Sequence, residues 1–350
     1  MIILYICTGL LIFFLFFLIV KLLLNICYSE KYSDNKKQYN IYVSSTANSY
    51  TSHIVKYILD RIPGHIIVDK KNNADIIIYH VVGDSHTKDK INIAISGEPW
   101  IVDDNIDLCI SPIITQKTKY SIYYPQMYSS LFEHRKSVNN KDYQQDTKNK
   151  FCAYMYSQHH DHRVKYFDLL STYKKVDALG ESCKNTNMST SRDINNENET
   201  YNDIAVDLYK DYKFVIAMEN KDEDGYFTEK INNPVIANSI PIYWGNKKIF
   251  DYINKDRIIY IPDYTDKELI DKIKKLDNDE LEYNKIINQP LYVDDSKKPE
   301  NIEKQLQKDI EEKLNLLLLV NATDKTSSLS GIFKLENSLK TSSKKPPTGY

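Results

Sequence analysis

Residues 212–245 read YKFVIAMENKDEDGYFTEKINNPVIANSIPIYWG, and the order of their parts decides the fold class. Two apolar runs, YKFVIAM and IPIYW, have the length and the β-branched and aromatic content of buried strands. Between them lie a polar turn and a stretch of helical character that begins near Thr228. Strand, polar loop, helix, strand is the unit by which an α/β sheet presents a ligand at the carboxyl ends of its strands. Glu219, Asn220, Tyr226, Glu229 and Lys230 cluster at that end. Pro234 falls inside the expected helix. Proline removes a hydrogen bond and crowds the carbonyl four residues back, here that of Lys230, so a kink or restart is expected there.

The same alternation extends in both directions. Downstream, DRIIYIPDY (256–264) reads as a further strand and 266–289 as helical. Residues 300–320, within an expected C-terminal helix over 296–321, are periodic with an apolar end. They suit a helix packed back on the first domain, a plain core helix, or a peripheral membrane contact. The Ser-, Lys- and Thr-rich tail, 322–350, is expected to be disordered. Upstream, FCAYMYS (151–157) reads as a strand, VKYFDLLSTY (164–173) as a helix, and YKKVDALG (173–180) as a strand and turn; 184–200 reads as a mobile loop. Earlier still, IYVS (41–44), HIIV (65–68), DIIIYHVV (75–82) and INIAIS (91–96) read as strands, with a helix over SHIVKYILDRI (52–62) and a further run, IDLCISP, ending at Pro112. Two α/β blocks follow, 39–135 and 151–295, joined by the polar linker 136–150.

Bulk properties narrow the function classes. The 350 residues hold 46 Lys and Arg against 48 Asp and Glu, so no basic field advertises nucleic acid. Nine glycines and 11 prolines exclude a collagen-like or linker-dominated chain. Lys, Asn, Ile and Tyr abound throughout, a bias that an AT-rich coding sequence gives without functional cause. Of five cysteines, Cys7 and Cys27 lie in or beside the N-terminal apolar segment, and Cys109, Cys152 and Cys183 form no CxxC pair. That is neither a disulfide framework nor a zinc site.

Residues 2–20, IILYICTGLLIFFLFFLIV, carry no charge. As a helix they span roughly 28 Å, close to the hydrocarbon thickness of a bilayer. A transmembrane anchor over 1–28 and a polar stem over 29–38 are expected. A cleaved signal peptide is disfavoured, because no basic n-region and no small-x-small cleavage site are present. Lys21, Lys31, Lys36 and Lys37 all follow the segment, which favours a cytosol-facing C-terminal domain.

The 212–245 stretch resembles the donor-binding signature of the α-1,3/4-fucosyltransferases, glycosyltransferase family 10, whose pattern runs YKF-x-L-x-FEN, DY-x-TEK, IP-x-x-x-G. The resemblance covers residues 91–264 and is strongest over 151–264. It implies a GT-B-like fold, two Rossmann-like domains facing a cleft, with the first on the acceptor side and the second binding the donor. It implies an inverting transfer of L-fucose from GDP-fucose to a hydroxyl of a glycan acceptor, α-1,3 on an N-acetylglucosamine or glucose-type residue. The glycan is carried by a glycoprotein, glycolipid or polysaccharide. It further implies a type II protein of a Golgi-type membrane, anchored by 2–20. A lumenal domain suits the sequons at Asn187, Asn198 and Asn321 and opposes the charge rule.

Such a transfer needs a base for the acceptor hydroxyl, cations or helix N-termini for the departing diphosphate, and contacts that hold the sugar in line. ISGEPW (95–100) resembles the family's strand-ending (S/T)GE motif, which makes Glu98 the general base. The segment from Phe151 to Leu170 resembles the SN-x-x-x-x-R stretch, so Ser157 and Arg163 join the donor site, although Gln158 stands where the family has Asn. Tyr212 matches the YKF tyrosine, and Lys184 falls where a second basic residue occurs in the family. Asn220, Tyr226, Glu229 and Lys230 complete the expected donor contacts.

His159, His160 and His162 form the string HHDH, which suits a metal site or, as we read it, a polar loop beside the donor. Acidic strings at 103–104 and 222–224 are read as surface loops, so no metal and no cofactor beyond the co-substrate are expected. Two other readings remain open from sequence: a transferase for another nucleotide sugar, and a non-catalytic membrane glycan-binding protein.

Overall fold

A computed structural model describes residues 38–100, 105–114, 117–132, 148–187 and 200–323. The expected anchor, nearly all of the stem, most of the linker, part of the 184–200 loop and the tail from 324 lie outside these residues. Among the described residues no helix is long and apolar enough to cross a membrane.

The chain builds two sheets. The first takes β1 (Asn40–Val43), β2 (Ile66–Ile67), β3 (Ile76–His80), β4 (Ile91–Ile95), β5 (Leu108–Ser111) and β6 (Tyr120–Tyr123) in the order β2-β1-β3-β4-β5-β6. The second takes β7 (Lys150–Tyr154), β8 (Val176–Ala178), β9 (Tyr212–Met218), β10 (Ile240–Trp244) and β11 (Ile259–Tyr260) in the order β11-β10-β9-β7-β8. Every pairing within both sheets is parallel. Parallel neighbours need a crossover, so both faces are covered and central strands are apolar along their whole length. Accordingly, all residues of β3 and β4 are buried. At the sheet edge the expected strand HIIV shrinks to Ile66–Ile67, and both side chains are exposed.

The helix Glu229–Ile236 follows from its ends. Thr228 caps its start, its side chain accepting from the Lys230 amide. At the other end Asn238 takes a left-handed φ of 56°, Ser239 N–H donates to the Pro234 carbonyl, and Asn238 N–H donates to that of Val235. This is the Schellman pattern with Asn in the left-handed position. The helix runs through Pro234 without restarting, and the cost of proline there falls on the Lys230 carbonyl, which loses its donor.

The helix Pro299–Thr323 returns to the first sheet. Leu306, Ile310, Leu314 and Leu317 recur at helical spacing and share one apolar core with Ile58, Ile122 and Tyr128. The helix packs on the first domain as part of its core; Leu314, Leu317 and Leu318 of the apolar end are buried there, and Leu316, Leu319 and Val320 are half-buried. Asn321 of the third sequon sits inside this helix, its amide donating to the Leu317 carbonyl at 2.8 Å. Cys109, Cys152 and Cys183 are free thiols.

Short contacts stitch the two halves together. Tyr123 OH donates to the Gly225 carbonyl at 3.0 Å, and Met127 N–H donates to the Phe227 carbonyl at 2.7 Å. Asn232 Nδ2 donates to the Met127 carbonyl. Gly225 has a φ of 87°, and a Cβ there would stand 2.6 Å from the Tyr123 ring. Only glycine lets the loop before Tyr226 lie this close to the first sheet.

Candidate active site

A cleft of about 340 Å³ opens where the carboxyl ends of β4, β7 and β9 meet. Glu98 enters it from the first sheet. Its turn is closed by Ser96, whose Oγ accepts the Glu98 N–H at 3.2 Å and donates to the Glu98 carbonyl at 3.0 Å. The Tyr226 hydroxyl, from the second half, stands 3.5 Å from Glu98 Oε2. Burial raises the Glu98 pKa above its ordinary value; the Lys230 charge and the Tyr226 hydrogen bond oppose this, and the Glu229 charge adds to it.

Arg163 enters from the first turn of the helix Asp161–Ser171 and is 2% exposed. Its guanidinium lies 4.2 Å above the Tyr156 ring. Nη2 donates to the Met218 carbonyl at 3.1 Å and to the Asn220 side-chain oxygen, while the buried Nε has no partner. The platform beneath is fixed in turn, since Tyr156 OH accepts the Met218 N–H at 2.6 Å and donates to the Ile216 carbonyl at 3.0 Å. The groups that receive Arg163 are neutral. A buried cation supplied only with neutral acceptors suits an anionic ligand.

Lys230 is the second cation. Its ammonium is 3.0 Å from Glu229 Oε1 and 3.6 Å from Glu219 Oε2. Burial works against its charge, but the two carboxylates outweigh burial and hold the Lys230 pKa above its ordinary value. Burial likewise works against the Glu229 charge, and the Lys230 charge and hydrogen bond outweigh it, so Glu229 titrates below the ordinary range. One cation shared by two acids makes a cluster whose carboxylates can bind sugar or ribose hydroxyls while the ammonium meets a phosphate.

Glu98, Ser157, Arg163, Asn220, Tyr226, Glu229 and Lys230 therefore line one cleft. Tyr212 and Lys184 do not. Tyr212 opens β9 at its amino end, and its hydroxyl donates to Asp177 at 2.9 Å. Lys184 lies past the edge strand β8 and pairs with Glu181 at 3.1 Å. Of the HHDH string, His160 reaches the lip of the cleft, and His162 packs on Trp244 with ring centroids 4.8 Å apart. No group of three or more His, Cys, Asp or Glu among the described residues is placed to hold a metal ion.

Several lining residues were not expected from sequence. Tyr201 and Tyr209 come from the helix Tyr201–Tyr209, Gln126 from the start of Gln126–Leu131, and Asn233 from within Glu229–Ile236. The Asn233 Nδ2 donates to Asn202 at 2.8 Å, and its Oδ1 is buried without a partner. Only the path of the chain brings Tyr201, Tyr209 and Gln126 to the cleft, whereas Asn233 lies three and four residues past Lys230 and Glu229 on one helix, a spacing that could have pointed to it.

Known proteins resemble this chain in sequence and in fold. Residues 126–292 match the family described as "Glycosyltransferase family 10 (fucosyltransferase) C-term". "Putative fucosyltransferase R654" of Acanthamoeba polyphaga mimivirus is 46% identical over 269 residues, 76% of this chain and 44% of that protein. Human "GDP-fucose protein O-fucosyltransferase 3" is 32% identical over 123 residues, 35% of this chain and 25% of that protein. The chain thus spans less than half the length of these relatives. A crystal structure of an alpha1,3-fucosyltransferase with GDP-fucose shares the fold, with a TM-score of 0.61 at 18% identity over 78% of this chain and 90% of that one.

Proposed function

We propose, from the match of residues 126–292 to glycosyltransferase family 10, the fucosyltransferases, that this chain is an inverting fucosyltransferase using GDP-fucose, with Glu98 as general base. One observation carries the reading. A carboxylate from the first half and two cations from the second converge on one cleft, with Glu98 and Tyr226 within 3.5 Å across it.

The proposed transfer is a single displacement. The acceptor hydroxyl attacks the anomeric carbon of fucose as its proton passes to a Glu98 oxygen. The bond from that carbon to the phosphate oxygen breaks, and GDP leaves with the electron pair. Arg163 and Lys230 offset the charge that develops on the diphosphate. Glu229 and Asn220 are assigned to hydroxyls of the donor, Ser157 to the diphosphate edge, and Tyr226 to orienting Glu98. Burial of Glu98 suits a base, because a raised pKa strengthens proton abstraction.

The acceptor is proposed as a glycan hydroxyl, in α-1,3 linkage. A protein hydroxyl is the second reading, favoured by the similarity to the human protein O-fucosyltransferase. The apolar residues 2–20 support a membrane anchor, which we propose for a Golgi-type membrane. The test is GDP release by the full-length chain from GDP-fucose with mixed β-galactoside and N-acetylglucosamine acceptors, then with peptide acceptors. Release that depends on acceptor supports the reading and names the class. Saturable GDP-fucose binding without release on any acceptor would favour a lectin-like role, and absence of binding would redirect the search to other nucleotide sugars.

A further inference from the structure

Glu219 is absent from the wall of the cleft, yet it is the most completely buried acid near it, at 0% exposure. It follows β9 directly, and its N–H extends the ladder to the Trp244 carbonyl at 2.9 Å. Its carboxylate then reaches across the 220–227 loop. Oε1 accepts the Thr228 N–H at 2.8 Å, and Oε2 accepts the Thr228 hydroxyl at 2.7 Å. Because that hydroxyl proton is committed to Glu219, the lone pairs of Thr228 Oγ1 are left for Lys230, whose ammonium donates to it at 3.1 Å. The same ammonium lies 3.6 Å from Glu219 Oε2. The fold reserves room for this arrangement, since a Cβ on Gly245 would come within 2.9 Å of Glu219 Cγ.

Burial raises the Glu219 pKa above its ordinary value and the Glu229 charge adds to this, while the Lys230 charge and the two Thr228 hydrogen bonds oppose it. Both oxygens accept hydrogen bonds and an ammonium lies beside them, a geometry that holds the cation in place. We propose that Glu219 is a positioning residue for the transfer: through Thr228 it fixes both the start of the helix Glu229–Ile236 and the aim of the Lys230 ammonium at the departing diphosphate. The inference rests on the donor reading of the cleft. It has a consequence opposite to that of simple charge removal. Neutralising an acid beside a cation strengthens that cation's pull on a diphosphate. Loosening the cation's position weakens it.

The test uses the full-length chain with GDP as the probe, in the variants Glu219→Gln, Lys230→Met and both together. Calorimetry is expected to show GDP affinity reduced about tenfold or more in Glu219→Gln, the scale of one charge-assisted hydrogen bond. In the Lys230→Met background the same change is expected to shift affinity less than about twofold, because coupled residues are not additive. Tighter or unchanged binding, or an equal loss in both backgrounds, overturns the proposal; the equal loss is what a purely structural role gives. Should Glu219→Gln fail to fold, Thr228→Ala carries the same readouts, and Thr228→Ser, which keeps the hydroxyl, is expected to retain affinity. Competitive labelling of lysine amines, read by mass spectrometry without ligand, separates this inference from the donor reading. Lys230 labelling is expected to rise several-fold in Glu219→Gln. If it rises while the unaltered chain binds no GDP, the positioning stands and the donor reading falls; if it does not rise, the positioning is overturned.

Discussion

Glu98 carries the most chemistry for one side chain, and its surroundings make its behaviour with pH predictable. Burial raises its pKa, so the acid limb of kcat/KM is expected above the ordinary glutamate value of about 4.3. Activity falls as pH drops through that limb, because the protonated acid accepts no proton. Linkage gives the same residue a signature in stability. A raised pKa means that the folded chain binds more protons than the unfolded one, so the Glu98 contribution to stability declines as pH rises through the limb. Glu98→Gln is therefore expected to lower turnover by about 10²–10⁴-fold while melting higher than the unaltered chain at neutral pH, with the gap closing in acid. Melting curves at two pH values beside a rate assay check both halves. A Gln variant that keeps full turnover removes Glu98 as the base.

Among the elements, the Glu229–Ile236 helix shows which parts of the fold and candidate site could be read from sequence. Its start, its flanking strands and the polar cluster at its head were legible in 212–245, because they are contiguous and two short continuous apolar runs flank a polar turn and a stretch of helical character. Its end was not. Pro234 pointed to a break, whereas the left-handed Asn238 two residues past Ile236 shows that the helix simply stops. Asn238→Ala is expected to cost about 1–2 kcal/mol for the left-handed backbone, and Asn238→Gly to leave stability level or raised; urea unfolding of the two variants checks the contrast. Strand direction explains Tyr212. Six residues separate it from Met218, which at about 3.3 Å per residue puts it roughly 20 Å from the end that meets the cleft. A motif match fixes which strand a residue belongs to, while the strand's polarity fixes which end of the sheet it serves. Lys184 fails differently, since the turn after the edge strand β8 leads it to Glu181 and away from the cations of the cleft.

Over the whole molecule, the two halves share more than a cleft. The apolar cluster that holds Ile310 and Leu314 also takes in Phe227, Ile231 and Tyr243 from the second half. Leu314→Ala, at a side chain 1% exposed, is expected to cost about 2–5 kcal/mol and to lower the unfolding midpoint of both halves together. Probes placed in each sheet that report separate transitions would count against one shared core. The return of the C-terminal helix also bears on how the chain is made. Roughly 190 residues separate Tyr123 from Leu314, and at about 5–20 residues per second a ribosome needs ~10–40 s to cross them. Throughout that interval the first sheet has been synthesised without the helix that covers it. Its isoleucine-rich face stays uncovered on that side until the chain is nearly complete, which makes misfolding during synthesis the hazard of this topology, before any sugar is met.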